Sequence, residues 1–415
     1  MSDFNVCVMQ AEETGCVERP SLFMSTPARL AEQSTFDSKL HLRLIYGNGA
    51  VENVGDLAVE YGASKVLLVT DPGIRSAGHA DKVSESLNAA KLKFFIYDQA
   101  KENPTTECVS DCVKLAKGEQ IDFIIGLGGG SSMDTAKGCN FILTNGGEIK
   151  DYWGVGKASK PMLPLIAIPT TAGTGSECQS FALISDAVTH AKMACGDPKA
   201  MAKVAVLDPE LTLSQPPRVT ACTGIDAVAH AVESAVTRKR NATSQQYSKV
   251  AFGLLSKSFP ALLKNPENID ARGRMLLGAA FAGTAIEHSM LGAAHSAANP
   301  LTAHFNVIHG QAVGIMLPHV VRFNGKDKTT AKAYADLIDG TAICSDNGSM
   351  PHELLAEALE GMMDEAQMPR CLADCGVELD KLEILSEEAS GQWTASFNPR
   401  DIAAADFLGL YQKAL

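Results

Sequence analysis

Between residues 65 and 208, five short apolar runs alternate with stretches of helical periodicity, and few folds accommodate that alternation. The runs are 65–70 (KVLLVT), 92–97 (LKFFIY), 121–127 (IDFIIGL), 162–168 (MLPLIAI) and 204–208 (VAVLD). Each is strand-length and apolar at consecutive positions. Such a run is covered on both faces, as a strand of a parallel sheet is when helices lie above and below it. Turn chemistry follows two of them, Asp71-Pro72-Gly73 after the first and Pro169 after the fourth. Helical patterns at 106–117 and 131–143 supply the crossovers that parallel pairing needs. The expectation is an α/β domain with a doubly wound parallel sheet.

After about residue 212 strand character fades. Pro216-Pro217 opens long Ala-rich stretches, 220–238, 243–263, 271–299, 310–323, 329–340 and 351–366, which read as an all-helical unit. The expected organisation is an irregular N-terminal extension at 1–38, a nucleotide-binding α/β domain at 39–211 and a helical-bundle domain at 212–415. With 46% hydrophobic and 20% charged residues the 415-residue chain is globular in composition. Its formal charge of −12 argues against nucleic acid or an anionic membrane as partner. The eleven cysteines contain no CxxC pair, and the N-terminus has acids early and no apolar core of a secretory signal. A reducing, cytoplasmic setting is expected.

One stretch could be mistaken for a membrane span. From His288 to Val321 there is no Asp, Glu, Lys or Arg, yet five of the ten histidines fall there: His288, His295, His304, His309 and His319. A lipid-facing helix would not carry that load, so a buried, polar-lined interior is the better reading.

Four motifs carry chemistry. Residues 126–137 (GLGGGSSMDTAK) follow a strand and open a helix. Glycines let a ligand approach the backbone closely, and free amides with the helix dipole favour an anion such as a pyrophosphate. A tight turn without ligand is the alternative. Residues 169–177 (PTTAGTGSE) also follow a strand and offer hydroxyls from Thr170, Thr171, Thr174 and Ser176, suited to phosphate or ribose, or else simply a polar loop. Two such loops at successive strand ends fit ligand binding outside the carboxyl edge of a parallel sheet. In 223–234 (TGIDAVAHAVES), Asp226 and His230 are one helical turn apart and could chelate a divalent metal or bond to each other. In 292–310, His295 and His309 lie on either side of a helix break expected at Asn299-Pro300. With Asp226 and His230 they would make one carboxylate and three imidazoles, a set suited to iron(II) or zinc.

Taken together these four motifs, with Leu317-Pro318-His319 and Asn398-Pro399-Arg400, resemble the iron-containing (group III) alcohol dehydrogenases over roughly residues 41–412. The resemblance implies NAD(P)-dependent interconversion of a small alcohol and an aldehyde or ketone in a cleft between the two domains, and a homodimer. It implies Asp226, His230, His295 and His309 as metal ligands, with His309 at the catalytic centre. It further implies Gly129, Gly130, Ser131 and Ser132 at the pyrophosphate, Thr170, Thr171 and Thr174 beside ribose or phosphates, and Lys192 at the ribose. Asp71 matches a position facing the adenosine ribose, where a carboxylate would repel a 2′-phosphate and favour NAD. Many members carry a second histidine four residues after the His295 position. Here it is Asn299, which cannot exchange a proton near neutral pH, and His304 is a candidate substitute. Rival readings on the same scaffold are a metal-independent reductase resembling maleylacetate reductase and a lyase resembling dehydroquinate synthase. A nucleotide-binding protein without activity is a third.

Overall fold

The structure is a computed structural model and describes residues 27–39, 42–189, 191–343 and 348–415. Ten strands run in chain order: β1 (Phe36–Lys39), β2 (Arg43–Tyr46), β3 (Lys65–Val69), β4 (Lys93–Tyr97), β5 (Phe123–Gly128), β6 (Gly154–Val155), β7 (Leu165–Pro169), β8 (Phe181–Ser185), β9 (Lys192–Gly196) and β10 (Val204–Leu207). Seven form one sheet in the order β1-β2-β10-β7-β5-β3-β4. The five runs read as strands occupy five adjacent places in it, all parallel. One apolar cluster packs the helices Thr106–Glu119 and Gly130–Asn145 on one face. A second packs Val54–Glu60 and His79–Ala89 on the other, so the sheet is doubly wound.

Two parts of the α/β unit were not foreseen. β6, β9 and β8 form a separate three-stranded sheet. β1 and β2 make an antiparallel edge hairpin, with β2 pairing parallel to β10. Residues 1–26 of the extension expected to be irregular lie outside the described residues; its described part contains a sheet strand and a short helix, Pro27–Ala31, whose Leu30 is buried in the core of the helical half. β1 escapes a hydrophobic reading because it alternates, with Phe36 and Ser38 buried and Asp37 turned out to ion-pair with Arg43 at 2.7 Å.

The second half is helical, including Pro217–Ser234, Ala242–Lys264, Ile269–His288, Ala293–Phe305 and His309–Asn324. Two expectations need correction. The stretch 271–299 is not one helix: it is interrupted at 289–292, where the Glu233 carboxylate accepts from the backbone N–H of Gly292 and Ala294 and so caps the next helix. The break expected at Asn299-Pro300 is absent, and Pro300 lies inside Ala293–Phe305. A proline removes one backbone donor, and the buried Ala294, Ala297, Ala298 and Leu301 hold the helix through it. The chain leaves instead at Asn306, which takes the left-handed φ of 53° that its short polar side chain tolerates.

At one point the halves meet with almost nothing between them. Gly175, at φ +61°, lies so close to the helix Ile269–His288 that a Cβ on it would come within 2.7 Å of both the Ala279 carbonyl and the Gly283 Cα. The loop carrying Gly175 is clamped from the other side by Lys137, which is fully buried. Its ammonium donates to the carbonyls of Ser176 (2.6 Å), Gln179 (2.7 Å) and Phe181 (3.0 Å) and to the Ser176 hydroxyl (3.0 Å). The Ser176 hydroxyl in turn donates to Asp134 at 3.0 Å. Lys137 and Asp134, three residues apart on Gly130–Asn145, thus tie the first glycine loop to the second.

Lys137→Met leaves one buried and two part-buried carbonyls without this donor and is expected to lower stability by about 3 kcal/mol, read as a fall in urea or thermal unfolding midpoint. An unchanged midpoint would disprove the clamp. Glu177, beside Ser176, is buried with Oε1 unpartnered, and burial pushes its carboxyl up to about 7. The unfolded chain ionises first as pH rises from the ordinary carboxylate value, so the folded state loses stability up to about pH 7. That loss amounts to roughly 3 kcal/mol. Glu177→Gln stays neutral, and its melting temperature should gain on the parent between pH 5 and pH 8; a constant difference would contradict this.

Candidate metal and nucleotide site

Helix periodicity puts Asp226, His230 and Glu233 on one face of Pro217–Ser234. His295 comes from the first turn of Ala293–Phe305, and His309 begins His309–Asn324. Gly310 allows the latter helix to start here, since a Cβ on it would lie 2.0 Å from the Cys222 carbonyl. The result is convergence on one oxygen. Asp226 Oδ1 lies 3.5 Å from His230 Nε2, 3.4 Å from His295 Nε2 and 3.8 Å from His309 Nε2. Asp226, His230 and His295 are buried, whereas the His309 side chain is 33% exposed and forms the open side.

These atoms lack ordinary partners. Asp226 Oδ1 and His295 Nε2 are buried without a hydrogen bond. Orphaned polar atoms facing one another are costly unless a ligand satisfies them. One anionic oxygen and three imidazole nitrogens suit a divalent cation such as iron(II) or zinc.

Glu233 organises the cluster from behind. Its Oε2 accepts the His295 Nδ1 proton at 2.6 Å, while the two backbone N–H groups described above fill its remaining capacity. Burial alone would raise this carboxyl, but His295 and the backbone donors hold it low. A carboxylate only accepts, so Nδ1 carries a proton, and Nε2 is the nitrogen directed at Asp226. Burial disfavours a charged His295 ring, but Asp226 and Glu233 outweigh it and raise the ring to about 9. Burial, with Lys192 and the other imidazoles, pushes His309 down to about 3 against the pull of Asp226.

The expected nucleotide loops also come together. Gly129 caps Gly130–Asn145, so the amides at Gly130, Ser131 and Ser132 belong to a helix N-terminus. Gly129 faces Thr171 and Gly130 faces Thr174 so closely that a Cβ would lie 3.5 Å and 2.8 Å from those side chains. Thr170 is buried behind them, its N–H bonded to the Gly128 carbonyl. Ser132 is also buried, and its hydroxyl donates to Asp71 Oδ2 at 3.1 Å, so this side chain positions Asp71. Asp71 Oδ1 caps the next helix at Ile74 (3.0 Å), which fixes the carboxylate at the end of β3. Lys192 opens β9; its exposed side chain lies in the field of Asp134, Asp226 and His309.

His304 does not join the site. Nine residues beyond His295 it lies on the opposite side of the helix, where its 39%-exposed ring pairs with Glu388 at 2.9 Å. It cannot stand in for the missing histidine. Asn299, one turn from His295, instead donates through Nδ2 to Gln392 Oε1 at 3.0 Å. A separate cavity of about 710 Å³ lies beside the ligand helices and includes Cys222, Phe305, Gln311 and Met368 but none of the four converging residues. Sequence reasoning missed Glu233, although its spacing of three from His230 and seven from Asp226 was visible. It also missed Lys137 and Asp134, because a buried lysine that bonds carbonyls has no sequence signature apart from the motif. Among the described residues no helix is long and apolar enough to cross a membrane.

Known proteins resemble this chain in sequence and fold. Residues 42–209 match the family model described as iron-containing alcohol dehydrogenase, and residues 220–415 match its C-terminal counterpart. The NAD-dependent methanol dehydrogenase of Bacillus methanolicus is 33% identical, covering 89% of this chain and 97% of its own. The lactaldehyde reductase of Escherichia coli K12 is 31% identical, with the same coverage. Among solved structures, a 1,3-propanediol oxidoreductase superposes with a TM-score of 0.87 at 28% identity over 92% of this chain and all of the other. An alcohol dehydrogenase from Oenococcus oeni does so with 0.85 at 29% identity over 90% and 98%. The chain belongs to the iron-containing alcohol dehydrogenase family.

Proposed function

We infer that the protein is a metal-dependent alcohol dehydrogenase and aldehyde reductase that transfers a hydride between NAD(H) and a small alcohol or carbonyl compound. The observation that carries this reading is the meeting of three imidazole Nε2 atoms at one buried, unpartnered aspartate oxygen, 3.4–3.8 Å away. Family membership and the NAD-dependent relative support it.

Asp226, His230, His295 and His309 would hold the metal, with iron(II) the first expectation and zinc(II) the second. When bound, such an ion acts as a Lewis acid on a carbonyl oxygen and stabilises an alkoxide in the reverse direction. The nicotinamide of NAD(H) gives or takes the hydride. The chain's own residues do the rest. Glu233 holds the Nδ1 proton of His295 and so leaves Nε2 as the nitrogen that would face a metal, and the neutral His309 ring marks the side from which substrate enters. Gly129, Gly130, Ser131 and Ser132 would offer backbone N–H groups to the pyrophosphate. Thr171, Thr174 and Lys192 would flank the phosphates and ribose, with Thr170 behind them. Asn299 and Gln392 occupy each other and neither titrates near neutral pH, so the substrate proton exchanges with water at the open His309 edge. This residue set favours a metal enzyme over a maleylacetate-reductase-like one, and net NADH oxidation separates it from a lyase. The described cysteines are unpaired, which supports a cytoplasmic setting. We expect a homodimer acting on small molecules.

His230→Ala and His309→Ala should each lose bound metal and at least tenfold in kcat/KM, measured by metal analysis and by NADH oxidation over a panel of aldehydes and ketones. Full metal and full turnover in either variant would overturn the ligand set. Asp71→Asn removes the charge at the β3 terminus and keeps an acceptor for Ile74. It should shift the NADPH to NADH ratio of kcat/KM upward by roughly tenfold. A parent enzyme that already prefers NADPH would defeat the NAD assignment.

A further inference from the structure

Trp393 is 42% exposed, although the residues on both sides of it are pinned. Gln392 accepts from Asn299, and the Thr394 and Ser296 hydroxyls bond at 2.7 Å. Ser296 and Asn299 lie one and four residues after His295, so segment 392–394 runs along the helix that presents a converging imidazole. The indole stacks on Phe181 at 5.9 Å and 30°, and meets the edge of Phe397 at 5.9 Å and 90°. Phe181 comes from the other lobe: it opens β8, and its carbonyl is one of those held by Lys137. The strand opposite makes room for its ring. Phe181 pairs with Gly196, where a Cβ would come within 2.3 Å of the phenyl.

Phe181 from one lobe and Trp393 and Phe397 from the other therefore form one aromatic cluster across the seam. Rings that served only to join the lobes would be covered, as buried aromatics usually are. Here the indole keeps two fifths of its surface open, and its two neighbours bond to residues one and four positions after His295. We propose that Trp393, backed by Phe181, is the wall against which the substrate's alkyl chain lies, so that Trp393 determines specificity for unbranched aliphatic alcohols and aldehydes over charged or polyhydroxylated ones. This rests on the dehydrogenase reading above. The amide pair Asn299–Gln392 is then a positioning device that holds the indole's backbone and takes no part in proton exchange.

The test is a chain-length series from ethanal to hexanal with NADH and the metal-loaded enzyme. The parent should gain roughly fourfold in kcat/KM for each methylene the indole covers. Trp393→Ala should flatten the series, mainly through KM for the longer aldehydes, and Trp393→Phe should retain most of the gradient. A second measurement needs no turnover. The chain has two tryptophans, so Trp153→Phe leaves Trp393 as sole emitter, and 1-hexanol should perturb its fluorescence at lower concentration than ethanol does. An unchanged gradient in Trp393→Ala, together with emission that ignores 1-hexanol, overturns the wall and leaves the dehydrogenase reading intact. If no carbonyl compound oxidises NADH, that reading fails, and the fluorescence titration alone still decides whether alkyl chains lie on Trp393.

Discussion

The helical half is arranged around one buried oxygen. Bringing Asp226 Oδ1 out of water is expensive, and the chain offsets the cost with polar groups drawn from three separate helices. Each of those helices has to end or begin where it does for the convergence to occur. The helix of Asp226 and His230 runs past both to reach Glu233. Glu233 then fixes where the helix of His295 begins by taking its first amide protons. The helix of His309 begins against the Cys222 carbonyl because residue 310 has no side chain. A change at any of these would move an imidazole as well as a backbone.

The α/β half solves a different problem, that of holding two loops side by side at the edge of a sheet. Backbone amides at a helix start attract an anion only if the loop that faces them keeps its place. The buried ammonium of Lys137 does this by bonding carbonyls that would otherwise be unsatisfied, and Asp134 reaches the same loop through Ser176. The motif that reads as a phosphate-binding sequence thus has two functions. Gly129, Gly130 and Ser131 keep an open side, and its Asp and Lys face inward as fasteners.

How much of this was legible in the sequence depends on whether a feature was local. The five parallel strands were readable because they are apolar at consecutive positions, four of them buried on both faces and β4 half-buried at the sheet edge, and the helical half because its periodicity persists over many turns. β1 and the small three-stranded sheet were not, since short alternating strands at an edge look like loops until their partners are known. The interruption at 289–292 was hidden because its cap comes from Glu233, some sixty residues earlier. Pro300 misled in the other direction, a local breaker overruled by the packing around it. In the site, the spacing of Asp226 and His230 was sufficient to place both on one face. That His304 turns away while Asn299 turns in follows from helix geometry once the helix is known to continue through the proline.

The contact of Gly175 with the helix Ile269–His288 has a mechanical consequence. Most seams between lobes are filled by long side chains, whose rotamers let the spacing drift by an ångström or more. At Gly175 the contact is main chain against main chain, and so the spacing there is that of two peptide planes and little else. A reaction that passes a hydride over a short gap tolerates little variation in donor–acceptor distance. By leaving the side chains out, the fold builds that tolerance into the covalent dimensions of the backbone, where thermal motion can alter it least.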